Sequence, residues 1–131
     1  MSPRNRLFSA LRGTGRFVEG SAGSEVHPAV APTPEDVIVT KHRVSAFAGT
    51  ELEMVLRAMG IETLLVTGIA TSGVVLSTIR HAIDTDYRVL VVRDCCSDPD
   101  AEVHRVLIEK VFTRAATVTT ADALVGVLSR G

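Results

Sequence analysis

The sequence predicts an α/β fold in which a parallel sheet is covered by helices on both faces. Short, nearly continuous apolar segments alternate with segments that repeat apolar residues at helical spacing. Strands buried on both faces show such continuous apolar runs, which favours a parallel sheet. The 131 residues are 46% hydrophobic, which suits one domain with one core. We therefore expect a single domain over residues 1–131, with an irregular segment over 1–32 and the α/β core over 33–128.

Four strands and four helices are predicted in alternation. The predicted strands are Val37–Lys41, Thr63–Ile69, Tyr87–Arg93 and Ala116–Thr119. The predicted helices are Thr50–Met59, a helix that follows Gly73 and ends near Asp84, Pro99–Phe112 and Ala121–Leu128. Parallel strands joined by helices imply right-handed crossovers, and binding sites in such sheets lie beyond the carboxyl ends of the strands.

Capping signals support the helix bounds. Thr50 and Glu53 have the spacing of a capping box, and Gly60 is a suitable residue to end the same helix. Asp98 is predicted to cap the third helix, and Thr120 the last one.

Composition argues against several functional classes. The net charge is −1 and there is no strong basic block, which argues against a nucleic-acid partner. No apolar run is long enough to span a membrane, and the first residues lack the apolar core of a secretory signal. Adjacent Cys95 and Cys96 make a poor disulfide framework, so we expect a reducing, cytoplasmic location.

The segment Gly68–Val74 is the strongest candidate for a binding site. It joins a strand to a helix through small residues, and such a turn can direct several backbone N–H groups at an anion or oxyanion. The alternative is an ordinary connection that needs small residues for close packing. Val74 and Val75 follow Gly73 where a phosphate-binding loop would have Lys and Ser or Thr, so this is not such a loop.

Other candidate residues each carry a structural alternative. Lys41 can steer an anionic substrate or extend into solvent, and Asp94 can be a site carboxylate or brace a loop. Phe47 can line a pocket or anchor its loop. Cys95 and Cys96 can be reactive, although buried structural thiols are the commoner case.

The remaining nucleophile and ligand patterns are weak. The chain has four histidines, and no two of them have convincing metal-ligand spacing: His27, His42, His81 and His104. No Ser–His–Asp set is identifiable in the sequence either. We therefore predict no metal and no cofactor, and a small molecule as the partner. From the residues alone, the reaction stays open.

Four sequence blocks together resemble the isochorismatase-like hydrolases, also called cysteine hydrolases. The blocks are HPAVAP (27–32), VTKHRVSAFAGTELE (39–53), LLVTGIATSGVVLSTIRHAID (64–84) and VVRDCCSD (91–98). The resemblance covers roughly residues 20–120 and implies a three-layer, Rossmann-like sheet flanked by helices. An unrelated flavodoxin-like ligand domain would leave these blocks unexplained.

The resemblance also implies a site. The family uses an Asp–Lys–Cys triad, in which Lys41 matches the lysine and Val74 the cysteine position. Its oxyanion donors match the N–H groups of Ala70 and Val74, and its cis peptide bond would match Ile69–Ala70. The predicted substrate-binding residues are Phe47, Ala70, Thr71, Gly73 and Val74.

Two departures from the family pattern shape the functional hypothesis. Val74 cannot attack a carbonyl, which argues against covalent amidase chemistry. Some family members lack the cysteine and hydrolyse a vinyl ether without a covalent step, and Val74 does not exclude that chemistry. The family's first strand and helix, with the Asp, are missing here, as in an N-terminally truncated member. We therefore expect a hydrolase or fragment with low activity; the alternative is a non-catalytic small-molecule-binding or subunit-interaction domain. Family members are commonly oligomeric, so we expect a homo-oligomer.

Overall fold

The computed structural model describes residues 4–130, which fall into two compact units divided between Ile38 and Val39. The first unit contains a short helix, α1 (Arg6–Ala10), and a 3-10 turn (Pro28–Val30). The side chain of Asn5 caps α1 by accepting a backbone N–H. This unit is mostly irregular, and the division into an irregular segment over 1–32 and a core over 33–128 stays a prediction.

The second unit contains a parallel sheet and its helices. In chain order these are α2 (Leu52–Ala58), β1 (Thr63–Ile69), a π-helical turn (Thr71–Val75), α3 (Leu76–Asp84), β2 (Arg88–Ser97), α4 (Ala101–Val106), a π-helical segment (Leu107–Val111), a 3-10 turn (Phe112–Arg114), β3 (Thr117–Thr119) and α5 (Ala121–Leu128). Both strand pairs are parallel, and the order β1-β2-β3 follows the chain. The predicted α/β class with a parallel sheet is confirmed.

The predicted strand Val37–Lys41 is wrong. No strand occurs over these residues, and both Val37 and Ile38 are exposed. A β-strand is stabilised by hydrogen bonds to a neighbouring strand, and an apolar sequence does not by itself provide that neighbour. Apolar composition was therefore insufficient evidence for a strand here.

β1 lies at the edge of the described sheet and is buried less than predicted. Its exposure alternates along the strand, so that Leu64 and Val66 pack against the core while Leu65 and Ile69 on the opposite face are exposed. The alternation follows from the period of two in a pleated strand with one covered face.

β2 is the central strand and carries much of the core. Val89, Val91 and Val92 are buried on it, and Ile79 and Ala82 of α3 belong to the same core. The register with β1 is interrupted where the carboxyl ends approach: Val66 pairs with Val91, but Gly68, two residues later, pairs with Cys96. The excess residues of β2 bulge out at this edge, which is a common feature beside functional sites.

The helix ends follow the predicted signals in part. Gly60 has φ +66° and ends α2: its N–H donates to the Arg57 carbonyl and the Ile61 N–H to the Leu56 carbonyl, a Schellman motif. Thr120 caps α5, as predicted.

The capping box predicted at Thr50 is wrong. The helix begins at Leu52, and the side chain of its N-cap residue, Glu51, makes no capping hydrogen bond. The Thr50 hydroxyl accepts a long hydrogen bond from the Leu52 N–H, at 3.4 Å, rather than from the Glu53 N–H, and it donates to the Ala46 carbonyl oxygen at 2.6 Å, which stabilises the preceding loop. A hydroxyl near the start of a helix can hydrogen-bond either to a backbone N–H of the helix or to a backbone carbonyl of the preceding loop. Sequence spacing alone does not show which of the two partners it takes.

Candidate active site

The turn after β1 lies where the carboxyl ends of the two long strands meet. Ile69, the last residue of β1, pairs with Ser97, the last residue of β2. The peptide bond Ile69–Ala70 is cis, at the position that the family resemblance gave. Gly68 has φ +128°, a conformation that favours glycine.

Three backbone N–H groups of the turn have fixed partners. The N–H groups of Gly73 and Val75 both donate to the Ala70 carbonyl oxygen, at 3.0 and 3.3 Å. The Ser72 N–H donates to Oδ2 of Asp98 at 2.7 Å. The donors that the resemblance assigns, at Ala70 and Val74, are not among these three. The carbonyl of Ala70 and the carboxylate of Asp98 thus fix the path of the turn without using either predicted donor.

Asp98 holds the turn rather than capping a helix. The N-cap of α4 is Asp100, which accepts from the N–H groups of Glu102 and Val103. Oδ1 of Asp98 accepts from the Asp100 N–H at 3.1 Å. The predicted start of this helix at Pro99 is therefore early, because the cap is the second of two nearby aspartates.

The hydrogen bonds around Asp98 also set its charge. Hydrogen bonds from the hydroxyl and the N–H of Ser72, then from the Asp100 N–H, hold the pKa of Asp98 below its usual value, and His104 acts in the same direction. Asp98 is thus an ionised carboxylate that carries negative charge next to the turn at neutral pH.

Thr71 and His104 form a second contact between the turn and the chain that follows β2, here with α4. Oγ1 of Thr71 lies 2.8 Å from Nδ1 of His104, and Thr71 is 0% exposed. Sequence analysis missed this contact, because the residues are 33 positions apart and His104 has no local motif around it. The contact becomes visible only when the sheet brings the two segments together.

Thr71, His104 and Asp98 resemble a hydroxyl–imidazole–carboxylate set only in composition. A nucleophile must reach the substrate, whereas the Thr71 hydroxyl is fully buried. The carboxylate of Asp98 is directed to the backbone N–H groups of Ser72 and Asp100. These contacts stabilise the turn and the start of α4, and they do not activate a hydroxyl for attack on a substrate.

Phe47 lies in the core. It is 5% exposed, its ring stacks on His81 at 4.7 Å between centroids, and it lies 5.9 Å from the Tyr87 ring. The preceding Ala46 N–H donates to the Thr78 hydroxyl on α3. The structure therefore shows Phe47 anchoring its loop, and contact with a substrate stays a prediction.

Lys41 and Val74 hold the two positions that the resemblance makes catalytic. Nζ of Lys41 donates to the Arg43 carbonyl oxygen at 2.7 Å. The residue is exposed overall, yet partial burial of its ammonium lowers the pKa of Lys41. Val74 is half-buried within the π-helical turn and has no nucleophilic atom. Their catalytic roles stay predictions.

The remaining candidates at this edge have structural partners. The carboxylate of Asp94 accepts from the Ala121 N–H at 3.0 and 3.2 Å, so it braces the start of α5. Cys95 is exposed and Cys96 is buried, and both are free thiols. Burial raises the pKa of Cys96, whose Sγ lies 3.9 Å from the Val66 carbonyl oxygen.

Over residues 4–130, no cluster of three or more His, Cys, Asp or Glu side chains is arranged to hold a metal ion. None of the helices in the same range combines the length and apolarity needed to cross a membrane.

The parallel sheet, its flanking helices and the strand–turn–helix segment place this chain among the α/β proteins. The family described as "Isochorismatase domain" matches residues 1–123. The chain belongs to the isochorismatase family.

Relatives agree with this assignment. An uncharacterised isochorismatase family protein, YecD of Escherichia coli O157:H7, is 35% identical over 78% of this chain and 55% of its own length. The maleamate amidohydrolase of Pseudomonas putida KT2440 is 31% identical over 79% of this chain and 49% of its own length. The chain thus spans about half the length of these curated relatives.

A solved structure supports the fold. The crystal structure of an isochorismatase family protein from Desulfovibrio vulgaris superposes with a TM-score of 0.83 at 35% identity, over 97% of this chain and 67% of that one. The likeness therefore includes the sheet and the turn after β1.

Proposed function

We propose that the chain forms a hydrolase site of the isochorismatase family, in which the turn Ala70–Val74 binds a developing oxyanion or a substrate carboxylate. The substrate class is a small molecule with a hydrolysable amide C–N or vinyl-ether C–O bond. The observation that carries the proposal is the fixed geometry of this turn at the carboxyl end of β1, where N–H groups of Ser72, Gly73 and Val75 are held by specific acceptors.

Lys41 would act on a neighbouring acid or on substrate charge. Its lowered pKa supports this role, because an ammonium with reduced hydration interacts more strongly with a nearby carboxylate. Val74 supplies no nucleophile at the position that the resemblance gives to the family's cysteine. We therefore expect low activity from this chain.

The direct test measures binding and turnover separately. Purified protein is titrated with isochorismate and with maleamate by calorimetry, and products are followed by mass spectrometry. We expect measurable binding of at least one compound with slow or no hydrolysis. A high rate would contradict the proposal of low activity.

A second test adds the missing nucleophile. If the turn presents residue 74 to a substrate carbonyl, Val74→Cys will hydrolyse maleamate faster than wild type. Val74→Ala is the matched control, because it changes the same side chain without adding a thiol. Equal rates for the two variants would show that the turn does not present this position to the substrate.

Lys41 can be tested in the same assays. We expect Lys41→Met to weaken binding of the anionic compounds, because it removes the charge and keeps a long side chain. Lys110→Met is the control, since Lys110 is an exposed lysine on the segment after α4. Equal effects of the two substitutions would indicate only a general loss of positive charge.

The second candidate function is a non-catalytic domain that binds small molecules or another subunit. The valine at the family's cysteine position favours it. Binding without turnover in both wild type and Val74→Cys would support this alternative over the hydrolase. A cytoplasmic homo-oligomer remains our expectation, and light scattering on the purified protein tests the oligomeric state.

A further inference from the structure

The turn that forms the proposed site is held from outside by two side chains of one later segment. Asp98 follows β2 and accepts the Ser72 N–H at 2.7 Å. His104 lies on α4 and contacts the Thr71 hydroxyl at 2.8 Å. Thr71 and Ser72 are consecutive, so two neighbouring residues of the turn are each held by a separate contact.

Both contacts restrict the backbone at Thr71 and Ser72, whose conformation sets the direction of the N–H groups in the turn. A hydrogen bond to the Ser72 N–H fixes the peptide plane between Thr71 and Ser72, and a fixed Thr71 side chain limits rotation of the same backbone. The Ala70 carbonyl holds the next part of the turn through Gly73 and Val75. The Val74 N–H lies between these two held N–H groups.

The geometry points to Asp98 and His104 as positioning residues for the oxyanion-binding turn, Asp98 through the Ser72 N–H and His104 through the Thr71 hydroxyl. This inference rests on the proposed function of the turn. Both residues act on the turn through another group, because Asp98 accepts a backbone N–H and His104 contacts the side chain of the fully buried Thr71. Their role is to keep the N–H groups aimed before a substrate arrives, which is how preorganised donors act.

The first experiment measures amide hydrogen exchange by NMR on the full chain. We expect Asp98→Ala to accelerate exchange of the Ser72 N–H by roughly tenfold or more, because its acceptor is removed. Asp98→Asn keeps an oxygen acceptor and is expected to restore most of the protection. Amide shifts of Gly73 and Val74 should move in Asp98→Ala and return toward wild type in Asp98→Asn.

Asp100→Ala is the matched control. It removes a carboxylate two residues away that caps α4 and does not contact the turn. We expect it to destabilise the protein while leaving the Gly73 and Val74 shifts unchanged. If it accelerates Ser72 exchange as much as Asp98→Ala does, Asp98 has only a general stabilising role and the inference is overturned.

The second experiment tests His104. We expect His104→Leu to shift the amide resonances of Thr71 and Ser72, and His104→Asn, which keeps a polar atom near the position of Nδ1, to reverse much of the shift. Unchanged turn resonances in His104→Leu would overturn the role of His104. Because these measurements use no substrate, a failure of the wild-type protein to bind either compound, or equal maleamate hydrolysis by Val74→Cys and Val74→Ala, would count against the proposed function and leave the positioning role intact.

Discussion

Phe47 offers a sharp test of whether its loop is anchored by core packing or shaped by substrate contact. The ring is 5% exposed and stacks on His81 with an interplanar angle of 8°. Phe47→Leu removes the aromatic stack and part of the buried side-chain area. Phe47→Ala removes the stack and nearly all of that buried area. We expect losses in the free energy of unfolding of about 1–2 kcal/mol for Leu and about 3–5 kcal/mol for Ala.

These losses are measurable by urea denaturation followed with far-ultraviolet circular dichroism. For a urea m-value of about 2 kcal/mol/M, the midpoint should fall by about 0.5–1 M for Phe47→Leu and by about 1.5–2.5 M for Phe47→Ala. The matched control is Phe17→Leu, the same substitution at a residue that is 68% exposed. We expect it to change the free energy by less than about 0.5 kcal/mol.

The contrary result is also clear. If Phe47→Leu shifts the midpoint no more than Phe17→Leu does, the ring does not anchor the loop, and the core placement is refuted. A variant that keeps wild-type stability but loses small-molecule binding would instead support the pocket-lining alternative.

Three further predictions concern a glycine, a carboxylate and the cysteines. Gly60→Ala should lower the free energy of unfolding, measured by urea denaturation, by about 1–2 kcal/mol, because Gly60 has a φ of +66°. Gly23→Ala is the control and should have a smaller effect, because Gly23 has no positive φ. Equal effects of the two substitutions would contradict the reasoning. The pKa of Asp98 is lower in the folded state than in the unfolded state, so the stabilisation it provides is present above the unfolded pKa and is lost as pH falls through the folded pKa. The difference in the free energy of unfolding between wild type and Asp98→Asn should therefore shrink on acidification. A difference that does not depend on pH would refute the prediction. Iodoacetamide should alkylate exposed Cys95 about tenfold or more faster than buried Cys96, as read by peptide mass spectrometry, and equal rates would contradict the burial of Cys96.

Local sequence patterns were sufficient for the elements that depend on near neighbours. The helix that carries Ile79 and Ala82 on one face, the end of α2 at Gly60 and the cap at Thr120 were all predicted correctly. In each case the evidence lies within a few residues, because helix periodicity and capping are local.

Elements that depend on distant partners were not predictable in this way. Val37–Lys41 has a strand-like composition and forms no strand, since pairing needs a neighbour that a five-residue sequence does not specify. The Thr71–His104 contact spans 33 residues and follows from the pairing of β1 with β2. The family resemblance located the turn, whereas only the structure showed what holds it in place.

The contacts that hold the turn do not involve the side chain of Val74. Ser72 is held by Asp98, Thr71 by His104, and the following N–H groups by the Ala70 carbonyl. A valine at position 74 therefore removes the nucleophile without removing any of these contacts. It follows that the geometry of the turn and the chemistry of residue 74 are separable. Consequently, Val74→Cys should leave the Ser72 amide exchange of the wild-type protein unchanged even where it alters the hydrolysis rate, and a change in that exchange would show that the two are coupled.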